Sequence, residues 1–227
     1  MTMTSQPTWS PVALSNVIDP STSTGALVDG AELVVWRDSS GKAHVWEDRC
    51  PHRGMRMSFG FVRGDHLACL YHGWQYDTAG QCRHIPAHPQ LEVPQTIRMQ
   101  TFAAAERNGI IWAGATADAD PTLLPAEIAG LVPVRSLYAD CTAAKALKGL
   151  AATPLPISAD APTVEAITEN YISLTAGPIR LLVAIQALGK EKIALHLMAN
   201  EGAPVAALAR YAQALRLTLE TAPAEAA

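Results

Sequence analysis

The sequence predicts a mainly β, α+β protein. An N-terminal antiparallel β domain comes first, and a smaller α+β domain follows, closing on a hairpin and a helix. Three observations lead there. Short runs of β-branched and aromatic residues, each bounded by turn residues, recur up to Trp112. The composition changes near residue 118: all five tryptophans, all three phenylalanines and six of the seven histidines precede it. Near the C-terminus Val205, Leu208, Ala209, Ala212, Leu215 and Leu219 recur at helical spacing on one face.

The elements follow in order. Glu32–Arg37 and Ala43–Glu47 alternate about the turn Asp38-Ser39-Ser40-Gly41, which predicts a hairpin. Gly60–Asp65 with His66–Leu70, and Trp74–Asp77 with Gln81–His84, read as two further pairs. Asn108-Gly109 is a tight-turn signal before the apolar strand Ile110–Trp112. The stretch Ala115–Pro125, small, acidic and twice interrupted by proline, reads as a connector between residues 1–118 and 119–227. Six prolines between Pro121 and Pro162 predict loop with one or two short helices. Ile179–Ala187 and Lys192–Ala199 read as a hairpin, and Pro204 suits the first turn of the closing helix.

The chain has 227 residues, 49% of them hydrophobic and 17% charged, enough apolar side chain for a packed core. A formal net charge of −4 speaks against nucleic-acid binding, which draws on basic excess. No apolar run is long enough to cross a bilayer, and the N-terminus reads as no signal peptide, so the expected setting is cytoplasmic and away from the membrane. In such a setting four cysteines read as metal ligands or buried thiols rather than as a disulfide framework.

Two short motifs carry chemistry: Cys50-Pro51-His52-Arg53-Gly54 and Cys69-Leu70-Tyr71-His72-Gly73-Trp74. Each offers one thiolate and one imidazole in a loop between predicted strands. Two such loops can hold one centre from opposite sides. Two sulfurs and two nitrogens suit a closed tetrahedral zinc site. They also suit a [2Fe-2S] cluster in which two cysteines bind one iron and two histidines the other.

The region from Trp9 to Trp112 resembles the Rieske domain of the Rieske non-heme iron oxygenases. The resemblance rests on Asp48–Gly54, Ser58-Phe59-Gly60, Cys69–Asp77, Gly80-Gln81-Cys82, Ile85-Pro86 and Glu106–Trp112. It implies a Rieske-type [2Fe-2S] cluster, with Cys50 and Cys69 on the inner iron and His52 and His72 on the outer one. Respiratory Rieske proteins carry an extra disulfide-forming cysteine in each loop. Here Met55 and Tyr71 occupy those places, which implies the low-potential oxygenase type, on the order of −150 mV. Cys82 and Cys141 are then buried thiols.

The family's catalytic subunits add a domain that binds a mononuclear iron through two histidines and a carboxylate. After residue 88 this chain has a single histidine, His196, which reads as a packed strand residue. The second part is therefore expected to be a reduced, helix-grip-like domain without that iron. His84 and His88 read as loop residues, and His44 and His66 as ordinary surface residues. Arg53 and Arg56 read either as solvated charges or as docking contacts for a redox partner.

The resemblance implies an electron-transfer subunit of a multi-component ring-hydroxylating or demethylating oxygenase. It would take electrons from a reductase or ferredoxin and pass them, through His72, to a mononuclear-iron subunit, in a hetero-oligomer of three-fold character. A free-standing ferredoxin-type carrier, a complete small oxygenase and a redox-sensing subunit are the competing expectations.

Overall fold

The computed structural model describes residues 8–156 and 158–221. It divides into two compact units. The first comprises the chain up to Glu106 together with Ile111–Leu124, and the second comprises Arg107–Ile110 together with the chain from Pro125 onward.

The first unit is built of short antiparallel strands. β1 (Trp9–Leu14), β2 (Ser23–Val28), β3 (Ala31–Arg37) and β4 (Ala43–Glu47) come first. β5 (Phe61–Arg63), β6 (His66–Ala68), β7 (Gln75–Asp77) and β8 (Cys82–His84) follow, then β9 (Thr101–Phe102), β10 (Ala104–Arg107) and β11 (Ile110–Gly114). One sheet runs β2-β3-β4-β9, a second β5-β6-β7-β8 and a third β1-β11-β10. The three hairpins expected from turn signals are all present. β1, β2, β9 and β10 carried weaker sequence signals. β2 is half exposed, with Gly25 in its middle, so its side chains alternate without an apolar face.

Arg37 holds this unit together from the end of β3. Its guanidinium donates to the carbonyls of Ile18, Gly41 and Ser15 and forms a two-pronged pair with Glu106. Both pKa values move apart accordingly: the hydrogen bond with Glu106 raises Arg37, and Arg37 lowers Glu106. His44 is a correction to the surface expectation. It is buried, bonded to Asp38 at 2.9 Å and stacked on Trp36. Burial, its largest cause, lowers its pKa, while the hydrogen bonds of Asp38 to His44, Ser40 and Lys42 outweigh burial and hold that carboxyl at about 2.

The second unit is one five-stranded antiparallel sheet with two helices. Its strands are β12 (Leu131–Ala139), β13 (Thr163–Thr168), β14 (Tyr171–Ala176), β15 (Ile179–Gly189) and β16 (Lys192–Asn200), in the order β12-β16-β15-β14-β13. Helix α1 (Ala143–Ala152) is capped by Thr142, whose hydroxyl accepts from the Lys145 N–H. Helix α2 (Val205–Thr221) buries Leu208, Tyr211, Ala212, Leu215 and Leu219. They meet Leu181, Val183, Leu195 and Leu197 of the sheet in one apolar core. The hairpin and closing helix thus stand as expected, although Tyr211 is buried where Val205 and Ala209 were expected. β12 replaces part of what read as loop between Pro121 and Pro162, and β13 and β14 stand where the sequence reading predicts no element. In β12, Pro133 and Arg135 flank a bulge that breaks the two-residue period, which is why the sequence hides the strand.

Candidate metal centre

Two loops meet in the first unit, and they are built to the same backbone plan. In the first, the Cys50 N–H donates to Met55 O and the Gly54 N–H to Cys50 O, both at 2.8 Å. In the second, the Cys69 N–H donates to Trp74 O at 2.9 Å and the Gly73 N–H to Cys69 O at 3.0 Å. Each loop is therefore closed on its own cysteine. Gly54 and Gly73 have φ of 70° and 69°, a left-handed conformation that a side chain would strain. The plans differ at one point: the histidine stands two residues after Cys50 but three after Cys69.

Flanking residues fix both loops. Asp48 is buried before the first loop and accepts from the backbone N–H and hydroxyl of Ser58 beyond it, at 2.6 and 2.7 Å. Glu32, on β3, accepts from Arg49 and Arg56, which bracket the same loop. Behind the second loop, a Cβ at Gly73 would stand 3.1 Å from Pro86, so the Ile85-Pro86 segment packs close against it. Gln81, also buried, donates to the carbonyls of Pro94 and Ile97 and ties down the segment that follows.

The four donors divide by depth. Cys50 and Cys69 are each 3% exposed, within a core that includes Trp46, Met57, Leu67, Tyr76 and Cys82. His52 is half-buried and His72 exposed, their ring centroids 4.8 Å apart. Trp74 lies flat on His52, and Tyr71 leans on His72 with centroids at 3.9 Å. The site thus presents two sulfurs inward and two imidazoles outward.

Electrostatics follow that division. Burial pushes the Cys69 thiol up, and the nearby Cys50 adds to this, while the backbone N–H groups of Tyr71 and His72 pull it back. Burial, then His72 and Arg53, lower His52. The Tyr76 hydroxyl lies 3.2 Å from Cys50 Sγ, and its pKa is raised, first by burial and then by that contact. A phenol held protonated beside a thiolate is a hydrogen-bond donor to sulfur. Tyr76 lies within the motif Cys69–Asp77, where the sequence alone gives it no role. Its signal was its place on β7, opposite Leu67 and on the buried side of the strand. Glu32 had no local signal at all.

The remaining candidates lie apart from this centre or beside it. Cys82 is buried and pushed up to about 11 by burial, and Cys141 is buried in the second unit. His84 ends β8, His88 is exposed, and His66 pairs with Asp65. His196, on β16, is buried between Ser136 and Gln186, each 2.8 Å from a ring nitrogen. Among the described residues, no three His, Cys, Asp or Glu side chains are grouped to hold a single metal ion. Two inward sulfurs and two outward nitrogens fit a two-iron cluster, in which the sulfur-bound and nitrogen-bound metals are different atoms.

Residues 8–101 match the Rieske [2Fe-2S] domain family. The chain carries a Rieske domain. Its cofactor is a Rieske-type [2Fe-2S] cluster. The recognition made from the two loops is borne out, as is the mainly antiparallel β architecture. Oxidoreductase NdmD of Pseudomonas putida is 40% identical over 105 residues, which cover 46% of this chain and 18% of NdmD. The 4beta-methylsterol monooxygenase of Methylococcus capsulatus is 42% identical over 102 residues, 42% of this chain and 27% of that enzyme. These matches span about a fifth to a quarter of the relatives' length.

The fold likeness extends further. NdmA of Pseudomonas putida CBB5 superposes with a TM-score of 0.74 over 97% of this chain and 84% of its own, at 20% identity. Apo dicamba monooxygenase gives 0.75 over 94% and 86%, at 19% identity. The fold of the second unit is therefore shared as well, although its sequence is not. No helix among the described residues is long and apolar enough to cross a membrane.

Proposed function

We propose that this chain is an electron-transfer component of a multi-component oxygenase. Cys50 and Cys69 hold the inner iron of its cluster, and His52 and His72 the outer one. The observation that carries the reading is the split by depth: two sulfurs buried in the core, two imidazoles at the surface. The cluster, when bound, accepts and releases one electron at a time.

The chain's own residues do the rest. The apolar core around the sulfurs excludes water. Tyr76 donates to Cys50 Sγ and favours added negative charge there. His72 is the exposed imidazole and so the shortest contact for an electron acceptor, which we take to be a mononuclear iron on a partner subunit. A reductase or ferredoxin supplies the electrons. The family resemblance points to a hetero-oligomer of three-fold character for the assembly. The relatives' names, among them a 3-chlorobenzoate-3,4-dioxygenase oxygenase subunit and a methylxanthine N1-demethylase, support an oxygenase setting.

The test is iron and acid-labile sulfide per chain, with EPR of the dithionite-reduced protein. About two irons with a Rieske-type signal are expected. Zinc without sulfide overturns the ligand set. About three irons overturn the assignment of the catalytic iron to a partner. His72→Cys is expected to abolish electron delivery, and persistent turnover would refute the route.

A further inference from the structure

Glu32 stands on β3 and reaches the first loop by two routes. Its backbone carbonyl accepts from the Asp48 N–H at 2.9 Å, and its carboxylate accepts from both Arg49 and Arg56. Arg49 also donates to Gly54 O at 3.3 Å, so its guanidinium lies across the loop that carries Cys50 and His52. The second loop has no counterpart: from Cys69 to Tyr76 it holds no Asp, Glu, Lys or Arg.

The carboxylate is not needed to close the first loop. The backbone bonds from Cys50 to Met55 and from Gly54 to Cys50 do that, and Asp48 with Ser58 anchors the flank. Nor does the pairing add much stability. Both arginine side chains are about half exposed, and ion pairs of that kind contribute little. What Glu32 does bring is one negative charge, its side chain 24% exposed, between two positive charges beside a redox centre.

We infer that Glu32 holds down the reduction potential of the cluster: it cancels one of the two guanidinium charges that bracket Cys50 and His52. This rests on the proposed ligand set. Reduction adds one electron to the cluster, and with it one negative charge. Positive charge nearby favours that state and negative charge disfavours it. With the carboxylate in place the two arginines count for one net charge, and without it for two. The carboxylate is also more enclosed than either guanidinium, so solvent screens it less. Its field acts on the cluster whatever the strength of the pairing itself.

The test is a redox titration of the cluster-loaded full chain at low ionic strength, followed by EPR, with iron content and the urea midpoint read alongside. Glu32→Gln removes the charge and keeps an oxygen for the arginines. It is expected to raise the ratio of reduced to oxidised cluster at a fixed applied potential about threefold, which is about 28 mV for a one-electron couple. Arg56→Gln is expected to lower the ratio by a similar factor. The double variant with Glu32→Gln and Arg56→Gln is expected to return to the wild-type value. Glu32→Asp keeps the charge on a shorter arm and is expected to leave the ratio unchanged. Iron content and the urea midpoint are expected to stay at the wild-type level in all four. An unmoved potential in Glu32→Gln overturns the inference. An equal shift in Glu32→Asp makes the effect one of loop pose rather than charge, and overturns it as well. So does a double variant that stays shifted, and so does loss of iron from Glu32→Gln, which makes the carboxylate a structural clasp. A wild-type protein without a Rieske-type EPR signal instead sinks the proposed ligand set, so the two failures are told apart.

Discussion

Trp74 lies flat against His52, the ring centroids 4.2 Å apart and the planes within 6° of parallel. The two residues come from different loops, so the stack joins the loops directly at the outer side of the site. Trp74 is thereby a wall for one imidazole rather than a lid over the whole centre. Removing the ring by Trp74→Leu frees His52 to turn. Such a stack is worth about 0.5–1.5 kcal/mol, so iron release to a chelator is expected to speed up about two- to twelvefold. Trp74→Phe keeps a ring there and is expected to stay near the wild-type rate. Equal rates in both variants would mean that bulk, not stacking, matters.

Tyr76 is expected to tune the potential of the bound cluster. Its hydroxyl donates toward Cys50 Sγ at 3.2 Å in a fully buried setting, and this favours the reduced, more negative state. Tyr76→Phe removes the donor and leaves the ring. The expected change is a potential lower by about 40–60 mV, the equivalent of one hydrogen bond of roughly 1–1.4 kcal/mol for a one-electron couple. A redox titration followed by EPR measures it, and an unchanged or higher potential contradicts the role.

Gly60 has no room for a side chain. A Cβ there would overlap the carbonyl oxygen of Ala68 and stand 2.9 Å from that of Met57. Both neighbours are backbone, so they cannot swing away. Because Ala68 precedes Cys69, Gly60→Ala is expected to push the second loop off its position. The expected outcome is lower iron content per chain and a loss of about 1–3 kcal/mol in urea unfolding.

His196 sets a pH dependence. Burial lowers its pKa to about 4, below its ordinary value near 6.5. Gln186 Oε1 can only accept, so Nε2 donates to it and Nδ1 accepts from the Ser136 hydroxyl. The neutral ring uses both nitrogens. The unfolded chain takes up the proton first as pH falls, so the stability from this group is complete above about 6.5 and is lost down to about 4. The loss reaches about 3 kcal/mol. Buried His44 is shifted in the same direction, so His196→Gln is expected to flatten part of the slope and leave part. Urea unfolding across that window measures both.

The sequence showed what is local and hid what is not. The cysteine–histidine loops were legible because each fits within six residues and the turn glycines sit inside the motif. β3 and β4 were legible because a four-residue turn separates two alternating runs. The grip of Glu32 on Arg56 spans 24 residues, and nothing near either position announces it. The same holds for the Trp74–His52 stack: both residues lie within the two motifs, but their contact exists only once two hairpins have placed the loops side by side. His44 misled because a histidine in an exposed-looking hairpin carries no sign that Asp38, six residues earlier, will fold back onto it. In the second unit, Pro133 and the bulge beside it leave β12 without a clear period, and the strand forms by pairing with β16.

The four hydrogen bonds that close the two loops run from backbone to backbone. All four use main-chain groups, so the closure of each loop does not depend on which side chains stand at positions 53, 55, 70 and 71. Those positions can change while the loops keep their course, so one design of receptacle can wear many surfaces.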